Sequence, residues 1–175
     1  PGPIVIRNHD SYEWYQPINS IGRMHGYHGN FLVALRALAY MKLLGKEGLD
    51  TLGPYAVLNA RYLSSIISKV LPLAYSKPCM HEFVSTSKEL KKSYKIKAYD
   101  IGKALLDKGF HSPTIYFPLI VEEALMFEPT ETQTVDTLEE LAHTLNNIIE
   151  DLKINNDKLN QYPKNLPVGR PNELI

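Results

Sequence analysis

The chain has 175 residues, 44% of them hydrophobic, with 19 basic and 19 acidic side chains. Because the charges balance, the protein has no net positive charge to attract nucleic acid or an acidic membrane surface, and we expect neither as a partner. The single cysteine, Cys79, cannot form an internal disulfide, which favours a reducing compartment: the cytoplasm, or the mitochondrion if the source is eukaryotic.

Residues 1–26 predict an extended lead-in or linker, because one short β-like run is followed by polar residues and glycines. The opening Pro1-Gly2-Pro3 lacks an initiator methionine, a basic region and a cleavage site, so we expect an excised or processed piece. His25 and His28 stand three residues apart, but no third and fourth ligand follow at a recognisable spacing. We therefore expect no metal.

Two helices are predicted next. Residues 27–44 are rich in alanine and leucine, which predicts a helix buried on most sides and ended by Gly45. Its longest apolar run is shorter than the roughly 20 residues that cross a bilayer. A second helix extends toward Leu71, and we expect Gly53-Pro54 to split or kink it and Pro72 to end it.

The middle of the chain predicts short elements. Pro78 and a polar run from Ser85 bound residues 79–86, which favours a strand. The lysine-rich residues 91–97 predict a solvated loop. Further on, the patterns predict a helix over Tyr99–Lys108 and strands over 114–117 and 124–127.

The last predicted helix begins near Thr134–Asp136, and its apolar face reaches Leu152. Asp136 and Glu139 are expected to form a capping box at its start. Residues 155–175 contain three prolines and predict a loosely held polar tail. The order of elements predicts a small α/β (α+β) domain over 27–154, with helices packed on a short, mostly antiparallel sheet.

Two segments place polar groups beside apolar strands. In "KPCMHEFV", His81 and Glu82 begin an H-E-x-x-H motif that Ser85 leaves incomplete, so a zinc protease is excluded. As strand neighbours, His81 and Glu82 would point to opposite faces, and only one would face a given pocket. Residues 128–131 follow an apolar strand directly, which is a usual position for a site.

Three strings of the chain together resemble one enzyme family. They are "SIGRMHGYHGNFLVALRALAY", "AVLNARYL" with "KPCMHEFV", and "GFHSPTIYFPLIVEEALMFEPTET". They resemble the C-terminal part of glycine dehydrogenase (decarboxylating), the P-protein of the glycine cleavage system, and most closely its subunit 2. The resemblance reaches to about Leu152 and keeps the order of the strings.

The resemblance implies the small C-terminal domain of a pyridoxal-phosphate enzyme with the aspartate-aminotransferase type of fold. In that family the complete enzyme releases carbon dioxide from glycine and transfers the aminomethyl group to the lipoyl arm of H-protein. Its implied partners are subunit 1, H-protein and the chain's own large domain. The family's Schiff-base lysine follows a histidine, and this sequence has no His-Lys pair. The resemblance therefore implies no covalently bound cofactor, no catalytic residue and no activity in these 175 residues alone.

The same resemblance suggests which residues line the active-site cleft of the complete enzyme. They are His81, Glu128 and Thr130, with Asn30 of the G-N string as a weaker candidate. An imidazole suits proton movement, a carboxylate suits charge, and a hydroxyl suits orientation. Three alternatives stay open: a stand-alone binding or scaffold domain, an unrelated α/β interaction module, and a structural His81 that bonds a buried carbonyl.

Overall fold

The computed structural model of the chain describes residues 30–171, so the predictions for the lead-in 1–26 and for His25 and His28 lie outside the described residues. The elements in chain order are α1 (Phe31–Ile67), β1 (Phe83–Thr86), α2 (Lys88–Tyr94), α3 (Ala98–Asp107), β2 (Thr114–Ile115), β3 (Ala124–Phe127), α4 (Val135–Ile154) and a 3-10 helix (Asn156–Gln161). The chain divides into two compact units, Pro1–Asp50 and Thr51–Ile175. Within residues 30–171, no helix is both long enough and apolar enough to span a bilayer.

The part of α1 in the first unit is exposed, although its sequence predicts burial on most sides. Phe31 and Leu43 are 74% and 81% exposed, and among residues 30–50 only Leu44 and Gly48 are half-buried. The predicted burial is therefore wrong for this helix. An apolar helix is covered only where a second apolar layer packs on it, and the described residues of the first unit supply none.

α1 is interrupted at Gly45, where the sequence predicts that the first helix ends. Gly45 has φ 65° and ψ −171°, a conformation that glycine adopts without a steric penalty. Pro54 lies inside the helix, so a split at Gly53-Pro54 is wrong: the φ of proline is helical, and the helix continues past its clash with the preceding turn. The alternative, a kink at Pro54, stays a prediction. The helix ends at Ile67, four residues before the predicted Leu71.

The second unit is an α+β structure built on a three-stranded antiparallel sheet in the order β1-β3-β2. Phe83 pairs with Phe127, and their rings stack with centroids 5.2 Å apart. Thr114 pairs with Met126 on the other edge of β3. The predicted antiparallel sheet with helices packed on it is confirmed.

The core lies between this sheet and the helices. Its fully buried side chains come from every layer: Leu63 and Ile67 of α1, Ile101 and Leu105 of α3, Leu125 of β3, and Leu145, Ile149 and Leu152 of α4. Burying a leucine or isoleucine in this way contributes about 1.5–3 kcal/mol each relative to exposure. This shared core fixes β3, and with it the segment that follows β3.

Three predictions for the middle of the chain need correction. The strand covers Phe83–Thr86 and not 79–86, because residues 79–82 form an irregular bend. The lysine-rich segment is not a loop, because Lys88–Tyr94 forms α2, which ends at Lys95 in the left-handed conformation. The second predicted strand is also shorter, Thr114–Ile115, whereas Ala124–Phe127 and the helix after Lys97 agree with the sequence.

The start of α4 is capped by Thr134, whose Oγ1 accepts a hydrogen bond from Thr137 N at 3.3 Å. The predicted capping box of Asp136 and Glu139 is wrong, because the helix begins at Val135 and Asp136 therefore lies inside its first turn. Glu139 instead accepts a short hydrogen bond from the Tyr62 hydroxyl, which joins α1 to α4 and raises the pKa of Tyr62.

The residues after α4 are held against the second unit, so the prediction of a loose tail is wrong for residues 155–171. Asp107 accepts hydrogen bonds from the backbone N of Lys164 (2.6 Å) and of Asn165 (2.5 Å). Arg170 donates to Asp100 Oδ1 at 2.9 Å and to the carbonyl of Tyr162 at 2.7 Å. The nearly buried carboxylates of Asp100 and Asp107 thus accept hydrogen bonds from residues of the tail.

Glu123, at the base of the β2–β3 hairpin, ties three elements together. Its carboxylate accepts from Ala98 N at the start of α3 and pairs with Lys91 of α2, each at 2.8 Å. Its carbonyl accepts from Ser87 N at 3.0 Å. Glu123 has φ 51°, a left-handed conformation that these bonds hold in place.

Candidate functional site

His81, Glu82 and Glu128 form one cluster at the edge of the sheet. His81 Nε2 lies 3.9 Å from Glu82 Oε2 and 3.8 Å from Glu128 Oε1. The register explains the meeting, because Glu82 and Glu128 stand one position beyond the Phe83–Phe127 pair. Side chains alternate along strands, so the phenyl rings enter the core while the two carboxylates point away from it.

The cluster corrects the expectation that His81 and Glu82 face opposite sides. That expectation assumed a strand, whereas residues 79–82 form a bend that lets both side chains reach the same place. Met80, which would have packed on the helices in a strand, is 64% exposed. Side-chain exposures of 56% for His81 and 61% for Glu128 leave the cluster open to solvent.

Thr130 lies two residues beyond Glu128, and both are exposed whereas Pro129 between them is buried. Its carbonyl accepts from Gln133 N at 3.3 Å, which closes a turn over residues 130–133. Its hydroxyl lies 2.8 Å from the Thr132 hydroxyl. The turn therefore presents two hydroxyls between β3 and the start of α4.

Asn30 belongs to the first unit and has a local structural role. Its Oδ1 accepts from Val33 N at 3.4 Å and its carbonyl accepts from Ala34 N at 3.1 Å, so Asn30 caps the start of α1. Of the four predicted residues, the structure therefore joins His81 to Glu128 directly and places Thr130 on the next exposed position.

Two residues of the "AVLNARYL" string anchor the segments that carry this cluster, and sequence reasoning did not single them out. Asn59 Nδ2 donates to the carbonyls of Thr130 (2.8 Å) and Gln133 (3.1 Å). Arg61 Nε donates to the Cys79 carbonyl at 2.9 Å. The only signal in the sequence is their place in a string that carries the family resemblance.

The cluster suits proton transfer better than metal binding. His81 Nε2 lies 3.9 Å and 3.8 Å from two carboxylate oxygens, and an imidazole beside carboxylates is a usual arrangement for moving a proton. The ligand atoms of the three residues lie within 4.8 Å of one another, which would allow a shared cation. Among residues 30–171 no fourth ligand joins these three exposed ones, so the set does not match a structural metal site, and we assign no metal.

The lysine-rich face of α2 is a second charged surface, and its charges are largely matched internally. Lys88 pairs with Glu122 at 3.3 Å, which lowers the pKa of Glu122. The carboxylate of Glu123 raises the pKa of Lys91. This surface therefore offers less positive charge to a partner than its count of lysines indicates.

The chain matches the family model described as "Glycine dehydrogenase, C-terminal domain" over residues 53–168. Similar proteins include probable glycine dehydrogenase (decarboxylating) subunit 2 of Treponema denticola, 46% identical over 99% of the chain, and that of Desulforamulus reducens, 44% identical over the whole chain. The protein of the same name from Thermotoga maritima is 42% identical over the whole chain. The chain spans 36–37% of the length of these relatives.

A solved structure supports the fold. The crystal structure of glycine decarboxylase (P-protein) of the glycine cleavage system, in inhibitor-bound form, matches 71% of the chain and 28% of its own length. The TM-score is 0.57 at 24% identity, so this match shows a shared fold. With the family match over most of the second unit, these findings show that the chain belongs to the glycine dehydrogenase C-terminal domain family.

Proposed function

We propose that this chain is the C-terminal domain of a glycine-decarboxylating enzyme, and that His81, Glu128 and Thr130 line its active-site cleft. The observation that carries the proposal is identity of 42–46% to subunit 2 proteins across 99–100% of the chain. Glu82 joins the proposed site because its carboxylate is as close to His81 as that of Glu128. Asn30, in the first unit, stays a prediction from the sequence.

The complete enzyme would release carbon dioxide from glycine and pass the aminomethyl group to the lipoyl arm of H-protein. Bound pyridoxal phosphate would supply an electron sink for the carbanion that forms. The described cluster does not fit the cofactor's phosphate, because two carboxylates would repel it and no described lysine or arginine pairs with either of them. The proposal therefore places the cofactor on residues outside this chain.

The residues of this chain would then act on the substrate side of the cleft. His81 can take up or deliver a proton at Nε2, which lies 3.9 Å from Glu82 Oε2 and 3.8 Å from Glu128 Oε1. The Thr130 hydroxyl can orient a polar group by hydrogen bonding. The carboxylates of Glu82 and Glu128 would also attract an ammonium group of a bound molecule and repel a carboxylate group of it.

The proposed partners are subunit 1, H-protein and the large domain of the same polypeptide, supported by the names of the relatives and of the solved structure. The exposed apolar helix at residues 31–44 agrees with a covered position in a larger assembly. The bacterial sources of the relatives support a cytoplasmic location.

The test is the exchange of glycine carboxyl carbon with bicarbonate, measured on the full-length protein assembled with subunit 1 and H-protein. Replacing His81 by Ala should lower the rate about 100-fold, the usual contribution of a general acid–base group. His143→Ala is the matched control, because His143 is an exposed histidine of α4 that bonds only to Asn147 in the described structure. An unchanged rate in His81→Ala with normal thermal stability would contradict the proposal.

A further inference from the structure

Asn59 closes both ends of the turn that follows β3. One side-chain nitrogen, Nδ2, donates to the Thr130 carbonyl at 2.8 Å and to the Gln133 carbonyl at 3.1 Å. The backbone N of Gln133 also donates to the Thr130 carbonyl, at 3.3 Å. The Asn59 amide thus links α1 to the first and last residues of a four-residue turn.

This link reaches across 71 positions of sequence to a turn between β3 and α4. Thr130 and Thr132 are exposed, and their hydroxyls bond to each other. Asn59 itself is half-buried on a helix whose next residue, Ala60, is fully buried in the core. The anchor is therefore rigid, whereas the segment it holds is not part of the core.

The direction of the Thr130 hydroxyl depends on this anchor, because the backbone of Thr130 is set by the turn. Displacing a group that orients substrate by about 1 Å can lower a rate about 100-fold. Losing the donor would remove the bond that joins the turn to α1, and the position of the Thr130 hydroxyl would become less defined.

We propose that Asn59 is a positioning residue for the proposed site, acting through the turn at 130–133 on Thr130. The inference rests on the proposed function, because Thr130 matters to the rate only if it lines the cleft. Asn59 makes no hydrogen bond to the His81 cluster in the described structure, because both hydrogen bonds of its side chain go to the turn.

The experiment uses the full-length enzyme with its cofactor, subunit 1 and H-protein. Asn59→Asp keeps the shape of the side chain and removes both donor hydrogens. The control is Asn147→Asp, because Asn147 is exposed on α4 and bonds to His143. The measurements are kcat and KM for glycine in the bicarbonate exchange, and amide hydrogen exchange over residues 128–134.

In Asn59→Asp, kcat should fall about 10- to 100-fold while KM changes less than about threefold, because orientation and not binding is lost. Amide exchange should accelerate over 128–134 and stay unchanged in the rest of the second unit. Asn147→Asp should match the wild type in both measurements. In a Thr130→Ala background, Asn59→Asp should lower kcat less than about twofold further, since both changes remove the same interaction.

Two results would overturn the inference alone: an unchanged amide exchange over 128–134 in Asn59→Asp, or equal losses of kcat with and without Thr130. A third result would contradict the proposed function itself. If His81→Ala and Thr130→Ala both keep the wild-type rate while Asn59→Asp still loosens residues 128–134, the proposed function fails, and the assignment of a positioning role to Asn59 fails with it.

Discussion

Replacing Asp107 by Ala should release the tail from the second unit. Asp107 is 9% exposed, and its Oδ1 accepts from the backbone N of Lys164 at 2.6 Å and of Asn165 at 2.5 Å, while Oδ2 accepts from Asn165 Nδ2 at 3.1 Å. One hydrogen bond to a charged group contributes about 1.5–3 kcal/mol net, and bonds that share one carboxylate do not add. The amides of Lys164 and Asn165 are on exposed residues and regain water when the carboxylate is removed. We therefore expect a loss of about 2–3 kcal/mol in total.

The assay is urea unfolding of the chain followed by circular dichroism, with thermal unfolding as a second measurement. A loss of that size lowers Tm by about 5–10 °C for a chain of this length. Asp107→Asn should cost less, because the amide oxygen still accepts from the two backbone donors. Glu140→Ala, at an exposed position of α4, is the control and should stay within about 0.5 kcal/mol of the wild type. An Asp107→Ala chain as stable as this control would refute the reasoning.

Three further results are expected from the second unit. Leu145→Ala should cost about 2–5 kcal/mol in urea unfolding because Leu145 is fully buried, whereas Leu119→Ala, at 88% exposure, should be neutral; equal effects would contradict the assigned core. Gly102→Ala alone should destabilise the protein, because the added Cβ would lie 2.7 Å from Ser112 Oγ. In a Ser112→Ala background the same change should raise Tm, because alanine has a better helix propensity than glycine. A rise in Tm for the single change would show that no clash exists. The hydrogen bond from Lys158 lowers the pKa of Asp151, so the ionised carboxylate contributes stability above the ordinary carboxyl pKa of 3.8, and this contribution is lost as pH falls through the lowered pKa. Asp151→Asn should therefore weaken the pH dependence of stability on the acid side, and an unchanged profile would refute this.

The elements with a clear apolar period could be predicted from the sequence. The strand Ala124–Phe127 and the helices α3 and α4 agree with it because one side of each enters the shared core. The helix α2 could not be predicted, since it contains no buried residue and therefore has no apolar period. The docked tail was missed because its partners, Asp100 and Asp107, lie far away in sequence.

The site could be predicted only in its residue types. The strings that resemble the family indicated His81 and Glu128, and the structure places their side chains 3.8 Å apart. The role of Glu82 was hidden because the bend before β1 replaces the strand that its sequence predicts. Asn59 was hidden for another reason, since side-chain hydrogen bonds to distant carbonyls leave no pattern in the sequence.

Glu123 anchors the base of the β2–β3 hairpin, whereas the tip of the hairpin is exposed. Leu119 and Ile120 are 88% and 87% exposed, whereas Glu123 holds α2 and α3 through one carboxylate. The tip is consequently a natural attachment point for a fluorophore or an inserted epitope. A reporter placed there would sense what approaches this edge of the protein while the folded body beneath it stays undisturbed.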